Sequence, residues 1–433
     1  MPTISRVPGW RRYYALALIT FILTLATADR ATLSVAGPDL SREIGMSPVK
    51  MGWLFSAFAW AYVLGQVPAG WIADRISAKT AMMAGLVLWS CVTFFMGAAA
   101  HTAAPFISLM ILRFMLGLFE SPVGPASGRV IANWFPSRER GTAGSIFNSA
   151  QYLSLFLFTP LMAWINYKFG WEHIFTVMGG VGLMAAVLWW RTFHTPVDHP
   201  KLSAAELDYI EEGGALVGRR PAGGERNKVR FSEIMGLFKS RMLVGIFIAQ
   251  YCINGLTWFF VSWFPTYLVT DRGFSILNAG FAASLPAMFG CIGAYSSGFF
   301  SDTIFRRTGS LSLGRKIPIT IGLLLSTSII LCNYVDSENV VIALMCVALF
   351  GKGFGSLGWA IIADTAPVRT IGITGGVFNS LGNIAGIVTP IVIGHLVASK
   401  GNFEWALVYV GLHGLVAIAS YWIIVGPLRR LPD

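Results

Sequence analysis

The chain has 433 residues, 55% apolar and only 12% charged, with 32 Lys and Arg against 21 Asp and Glu for a net charge of +11. Soluble proteins carry roughly 25% charged residues, whereas the charges here cluster between apolar runs of the about 20 residues that a hydrocarbon core of roughly 30 Å demands of a spanning helix. A soluble globular fold is excluded, and the basic excess is read as the Lys and Arg of cytoplasmic loops, not as a nucleic-acid surface.

Taken in chain order, the apolar segments number twelve: 13–37, 49–73, 80–100, 105–132, 142–166 and 172–191, then 242–268, 275–300, 316–335, 339–363, 371–398 and 404–426. The expected fold class is an all-α polytopic membrane protein with twelve transmembrane helices. The first segment follows Arg11 and Arg12 but is long for a signal peptide and carries Asp29 and Arg30, so it is read as a retained span. Residues 192–241 are the only long polar stretch, and they separate a six-span half at 1–191 from another at 242–433. Within the stretch, Ser203-Ala-Ala-Glu206 fits a capping box opening a short amphipathic helix in an otherwise solvated linker. With the N-terminus inside, 24 Lys and Arg fall on the inner side and five on the outer, which predicts that both termini are cytoplasmic. The five cysteines (Cys91, Cys252, Cys291, Cys332, Cys346) lie inside apolar segments with no C-x-x-C pair, and read as small core-filling residues.

The two halves repeat. Pro136, Gly141, Gly144, Phe147, Asn148 and Ser149 recur 231 positions later as Pro367, Gly372, Gly375, Phe378, Asn379 and Ser380. Gly70-x-x-x-Asp74 recurs as Gly298-x-x-x-Asp302, 228 positions later. A duplicated half of equal orientation is the parallel repeat of transporters, which bind substrate between the halves near the midplane.

Charges inside spans are costly, at roughly 2.5 to 3.5 kcal/mol each, and mark pathways by default. Asp29 and Arg30 are helix neighbours about 100° apart: either Arg30 faces a cavity while Asp29 turns to a neighbouring helix, or the two form a structural pair. Arg113 and Glu120 share a face of the fourth span about 10 Å apart along its axis. A buried carboxylate near a cation can change its proton occupancy as solvent access alternates, while Arg113 reads equally as a structural partner. Lys352 lies mid-span in Phe350-Gly-Lys-Gly-Phe-Gly-Ser356, with Ser356 and Trp359 on its face. It either binds a substrate carboxylate or pairs with Asp29 or Glu120. Tyr62, Gln151, Ser356 and Asn379 are candidate hydroxyl partners beside Trp359, with Gln250 and Asn254 ranked second, while Asn379 and its repeat mate Asn148 also read as interhelical packing residues. Asp364 is assigned to the cytoplasmic gate, and His395 and His413 to packing.

Gly70-Trp-Ile-Ala-Asp74-Arg75 resembles the signature loop of the major facilitator superfamily, departing from it at Ile76-Ser77-Ala78. That resemblance implies the superfamily's fold, and it implies that Asp74 and Arg75, with Asp302 and Arg306 in the second half, latch the halves when the cytoplasmic side closes. Asp29-Arg30-Ala-Thr-Leu-Ser, Phe55-Ser-Ala-Phe-Ala-Trp-Ala-Tyr62 and Trp134-Phe-Pro-Ser-Arg-Glu-Arg140 resemble the anion:cation symporters. Phe147-Asn-Ser-Ala-Gln151, Gln250-Tyr-Cys-Ile-Asn254, Trp263-Phe-Pro265 and Phe350-Gly-Lys-Gly353 are most similar to the glucarate/galactarate transporters among them. The resemblance implies a proton-coupled symporter of sugar-acid anions in a bacterial inner membrane, with Asp29 and Glu120 as proton carriers and Arg30 on the substrate carboxylate. It implies no cofactor beyond protons, and a duplicated chain is expected to work as a monomer. Arg30 and Lys352, one from each half, are expected to hold the two carboxylates of an aldarate. A monocarboxylate sugar acid, another organic acid and anion exchange are the alternatives. Two departures, Thr27 and the Ser121–Ser127 stretch, are expected near the cavity and to shift the substrate within the class. An enzyme is disfavoured by the lack of catalytic spacings, and a channel by asymmetric buried charges.

Overall fold

In a bilayer every backbone polar group must be satisfied within its own segment, so the apolar runs fold as helices. The computed structural model describes residues 9–217, 231–367 and 370–431, the side chains of 67, 70–75 and 231–233 excepted. Among the described residues there is no strand.

In the first half the rods are α1 (Arg11–Glu43), α2 (Pro48–Arg75), α3 (Ala78–Met96), α4 (Pro105–Trp134), α5 (Arg140–Phe169) and α6 (Glu172–Thr192). Two short helices follow, α7 (Ala204–Glu212) and α8 (Phe231–Leu237). The second half comprises α9 (Arg241–Ser262), α10 (Ile276–Thr308), α11 (Leu311–Tyr334), α12 (Glu338–Thr365), α13 (Ile371–Lys400) and α14 (Glu404–Val425). Ten of these twelve rods are long and apolar enough to cross a membrane by length and composition. Of the other two, α5 turns Ser145, Asn148, Ser149 and Gln151 toward an internal cavity, which lowers its apolar content.

The sequence repeat is a repeat of packing. In the first half α1 lies against α5, α2 against α4 and α3 against α6; in the second, α9 lies against α13, α10 against α12 and α11 against α14. The halves meet along α5 and α10 on one side and along α2 and α13 on the other. Two corresponding rods are broken. In α4 the helix is interrupted at Ser121 and Pro122, directly after Glu120. In α12 a single 3-10 turn, Phe354–Ser356, replaces the regular helix just after Lys352.

The linker departs from expectation. Ser203 does cap α7, its Oγ accepting from the Glu206 backbone N–H at 3.2 Å, yet one face of α7 is docked on the first half while the other stays exposed. Glu206 and Ile210 are buried against the first half, at 3% and 0% exposure. Arg12, at the start of α1, lies 3.5 Å from Glu206 and 3.0 Å from Glu139, and Tyr209 donates to Glu139 at 2.6 Å. The alternating charges of this segment thus find partners on the inner ends of α1 and α5.

Candidate functional site

Between the halves lies a cavity of about 510 Å³ whose lining comes from both. Arg30 of α1, Tyr62 of α2 and Gln151 of α5 form one wall; Lys352, Ser356 and Trp359 of α12 and Asn379 of α13 form the other. These are the seven residues singled out in the sequence as substrate candidates, and one cavity collects them. Ser356 ends the 3-10 turn in α12 and lines the cavity, where its Oγ lies 3.1 Å from the Ser297 Oγ of α10. Trp359 closes the wall edge-on to Phe378, ring centroids 5.0 Å apart. Asn379 has its carbonyl and side-chain oxygens engaged by the Asn383 amide at 2.9 and 3.3 Å. Gln250 and Asn254 also line the cavity, and bond to each other at 3.4 Å.

The charged wall is built on α1 and α4. Arg30 donates Nε to Glu120 Oε1 at 2.6 Å and pairs with the same oxygen through Nη2. Its guanidinium also lies over the rings of Tyr62 and Phe58, at 4.8 and 5.1 Å, and those rings stack on each other. Glu120 has no exposed surface, and its Oε2 is buried without a partner. Asp29 turns away from the cavity, 1% exposed, with Oδ1 also unpartnered. Arg113 is 1% exposed and donates to main-chain carbonyls of α1, to Asp29 O at 3.4 Å and Arg30 O at 3.3 Å. Arg113 therefore fastens α4 to α1 at the point where the functional charges leave the helix.

Lys352 is a cation without a carboxylate. Among the described residues it forms no ion pair; its Nζ meets the Tyr152 hydroxyl of the opposite half at 3.3 Å and lies 5.2 Å from that ring's centroid. Neither Asp29 nor Glu120 pairs with it. Tyr152, Ser297 and Asn383 were not singled out in the sequence. Only Tyr152 carried a signal, standing four residues after Asn148 on the polar face of α5. Of the two departures from the family pattern, Thr27 lines the cavity, with its Oγ1 unpartnered. The Ser121–Ser127 stretch does not: it makes the break in α4, and Ser121 and Ser127 are packed inside the first half, 2% and 0% exposed.

The cavity is closed on the side away from the linker. There Ser34 donates to Ser262 O at 2.6 Å, and Phe55 meets Trp263 edge-on at 5.2 Å, each contact joining the halves. On the linker side the inner ends of α5 and α13 stand apart, with nothing within 4 Å of a side-chain carbon built at Gly141, Gly144, Gly372 or Gly376. Of the latch residues, the side chains of Asp74 and Arg75 lie outside the described residues. Asp302 lies 3.8 Å from Arg315, which also binds Asp364 at 3.0 Å, while Arg306 is exposed with no ion pair among the described residues. Arg315 stands at the very start of a span, where the sequence reads it as one more loop cation.

A family model described as Major Facilitator Superfamily matches residues 19–390. The chain is 46% identical over 425 residues to a protein of Escherichia coli K12 named "Probable galactarate/D-glucarate transporter GudP", covering 97% of this chain and 94% of the relative. It is 48% identical over 429 residues to "Probable galactarate/D-glucarate transporter GarP" of the same organism, with 98% and 97% covered. A "D-galactonate transporter" of E. coli O6:H1 is 37% identical over 432 residues, covering 100% and 99%. Among solved structures, an inward-facing bacterial homologue of the human lysosomal transporter Spinster superposes with a TM-score of 0.77 at 17% identity, over 99% of this chain and 100% of that one. A D-xylose–proton symporter superposes with a TM-score of 0.73 at 15% identity, over 97% and 100%. At such identities these structures speak for the fold alone.

Proposed function

The chain belongs to the major facilitator superfamily, a multi-pass membrane transporter and not an enzyme, and from that premise we propose that it imports sugar-acid dianions, D-glucarate or D-galactarate, together with protons. The observation that carries the reading is one cavity with a cation on each of its two walls, Arg30 from one half and Lys352 from the other. Of these two cations, only Arg30 has a carboxylate partner among the described residues. A dicarboxylate six carbons long presents two anionic ends, and the polar side chains between the cations suit its hydroxyls. The relatives named for galactarate and D-glucarate support the same class.

Proton coupling follows from competition for Arg30. Its guanidinium pairs with Glu120 across the cavity wall. When a substrate carboxylate takes that place, Glu120 is left buried and unpaired, a state that is costly at bilayer depth unless a proton neutralises it. Substrate and proton therefore load together and leave together. Asp29, buried behind Arg30, is the second carboxylate available to that circuit, and protons are the only coupling species the reading requires. The inner side, bearing linker and termini, is the cytoplasmic side of a bacterial inner membrane, and one chain, holding both walls, works as a monomer. A monocarboxylate substrate is the second reading, favoured by the D-galactonate relative; it would leave Lys352 without a substrate partner.

Counterflow in proteoliposomes preloaded with glucarate tests the class. Glucarate and galactarate are expected to compete fully for labelled uptake, and galactonate and glucuronate weakly. Equal competition by the monoacids would remove the dianion assignment.

A further inference from the structure

A second cavity, of about 1000 Å³, opens at the inner edge of the second half, away from the substrate cavity. It lies between the end of α8, the start of α9 and the end of α14. Among the described residues its lining includes three basic side chains, Lys239, Arg241 and Arg429, and no acidic one. Lys239 and Arg429 are exposed and form no ion pair among the described residues. Arg241 donates to Ile423 O at 2.8 Å, which holds its guanidinium at the rim.

Beside the cations the wall is apolar. Ile423, Ile424 and Val425 belong to the last turn of α14, which runs as a π-helix over Ser420–Val425. Lys316 fixes that turn, its Nζ donating to Tyr421 O at 2.7 Å and Gly426 O at 2.5 Å. Around the mouth, Met235, Phe238 and Ile423 are exposed by 46%, 40% and 68%, a belt of large apolar side chains level with the basic groups. Large apolar and basic side chains side by side at a helix end are what the boundary between headgroups and acyl chains selects.

We propose that this cavity binds an anionic glycerophospholipid of the inner leaflet, its phosphate between Lys239, Arg241 and Arg429 and its acyl chains along Ile423 and Ile424. Charge complementarity selects a net negative headgroup over a zwitterionic one, because the described lining carries basic side chains and no carboxylate to pair with an ammonium. The apolar wall distinguishes a lipid from a free phosphate ion, which would use the cations and leave the wall bare.

The test is native mass spectrometry of the full-length protein in detergent, with phosphatidylglycerol or phosphatidylethanolamine of matched chains added. Phosphatidylglycerol is expected to be retained preferentially. Each basic residue near the surface contributes about 1 kcal/mol to such binding, so the double variant Lys239→Gln/Arg429→Gln should bind it about 25-fold more weakly. The charge-conserving double variant Lys239→Arg/Arg429→Lys should retain it, which separates lost charge from lost fold. Excess inorganic phosphate should not displace the lipid. Equal retention of the two lipids, undiminished retention in the Gln variant, or displacement by phosphate alone would each overturn the assignment.

Discussion

Glu120 and Lys352 are the two residues whose surroundings say most about the transport cycle. Glu120 is wholly buried and satisfied on one oxygen by Arg30 alone. Glu120→Gln removes the exchangeable charge but keeps the shape, so uptake driven by a proton gradient should fall by at least about a hundred-fold, while counterflow, which needs no net proton movement, should persist. Loss of both would place Glu120 in substrate binding instead. Lys352 is held by a hydroxyl and a ring, not by an acid. Hydrogen bonds to charged groups contribute about 1.5 to 3 kcal/mol, so Lys352→Gln should raise the KM for glucarate about ten- to hundred-fold and leave a monoacid's KM nearly unchanged. Both residues were legible in the sequence because an ion inside an apolar run is an anomaly with a price in free energy. Tyr152 carried only the weaker signal of its place on the polar face of α5, since an aromatic residue in a span is ordinary until the opposite wall shows a lysine aimed at it.

At the scale of elements, the two breaks matter most. The interruptions in α4 and α12 occupy corresponding places in the two halves, one beside Glu120 and one beside Lys352. A broken helix lets side chains leave the rod at angles that a straight one forbids, as transporters use at their binding sites. Proline in the sequence marked the first break; the second, built from Gly353-Phe354-Gly355, carried only glycines, which are common throughout the chain. On the outer side, α2 and α13 approach so closely that a side-chain carbon on Gly52 would lie 2.5 Å from Pro390 O, and one on Gly394 2.6 Å from Pro48 O. Gly394→Val should therefore wedge the outer ends apart and hold the outer side open. With Ser34→Cys as reporter, fully buried in the closed outer side, labelling by a membrane-impermeant maleimide should rise several-fold; unchanged labelling would show that this crossing does not control closure. The linker gives a further prediction. Removing one member of a buried ion pair costs about 3 to 5 kcal/mol, with the exposed side of Glu139 reducing that here. Glu206→Ala should thus lower the melting temperature and make the linker more sensitive to protease. The docking of α7 was hidden from sequence reasoning because Arg12 and Glu206 stand 194 residues apart.

For the whole molecule, the repeat in the sequence predicted the repeat in the packing. What the sequence did not contain is the state of the gate: closure between Ser34 and Ser262 and separation of α5 from α13 depend on contacts between halves, which no local pattern encodes. Importing a dianion against an inside-negative potential costs about 2.3 kcal/mol per charge for each 100 mV. In the proposed cycle, competition between Glu120 and substrate for Arg30 is the route by which protons would offset that cost. The most direct measurement is uptake of labelled glucarate and galactonate, side by side, into proteoliposomes under an imposed inward proton gradient with the membrane potential clamped. The account predicts accumulation of glucarate far above galactonate, abolished when the gradient is collapsed. Accumulation of glucarate indifferent to the gradient, or galactonate taken up as well as glucarate, would contradict it.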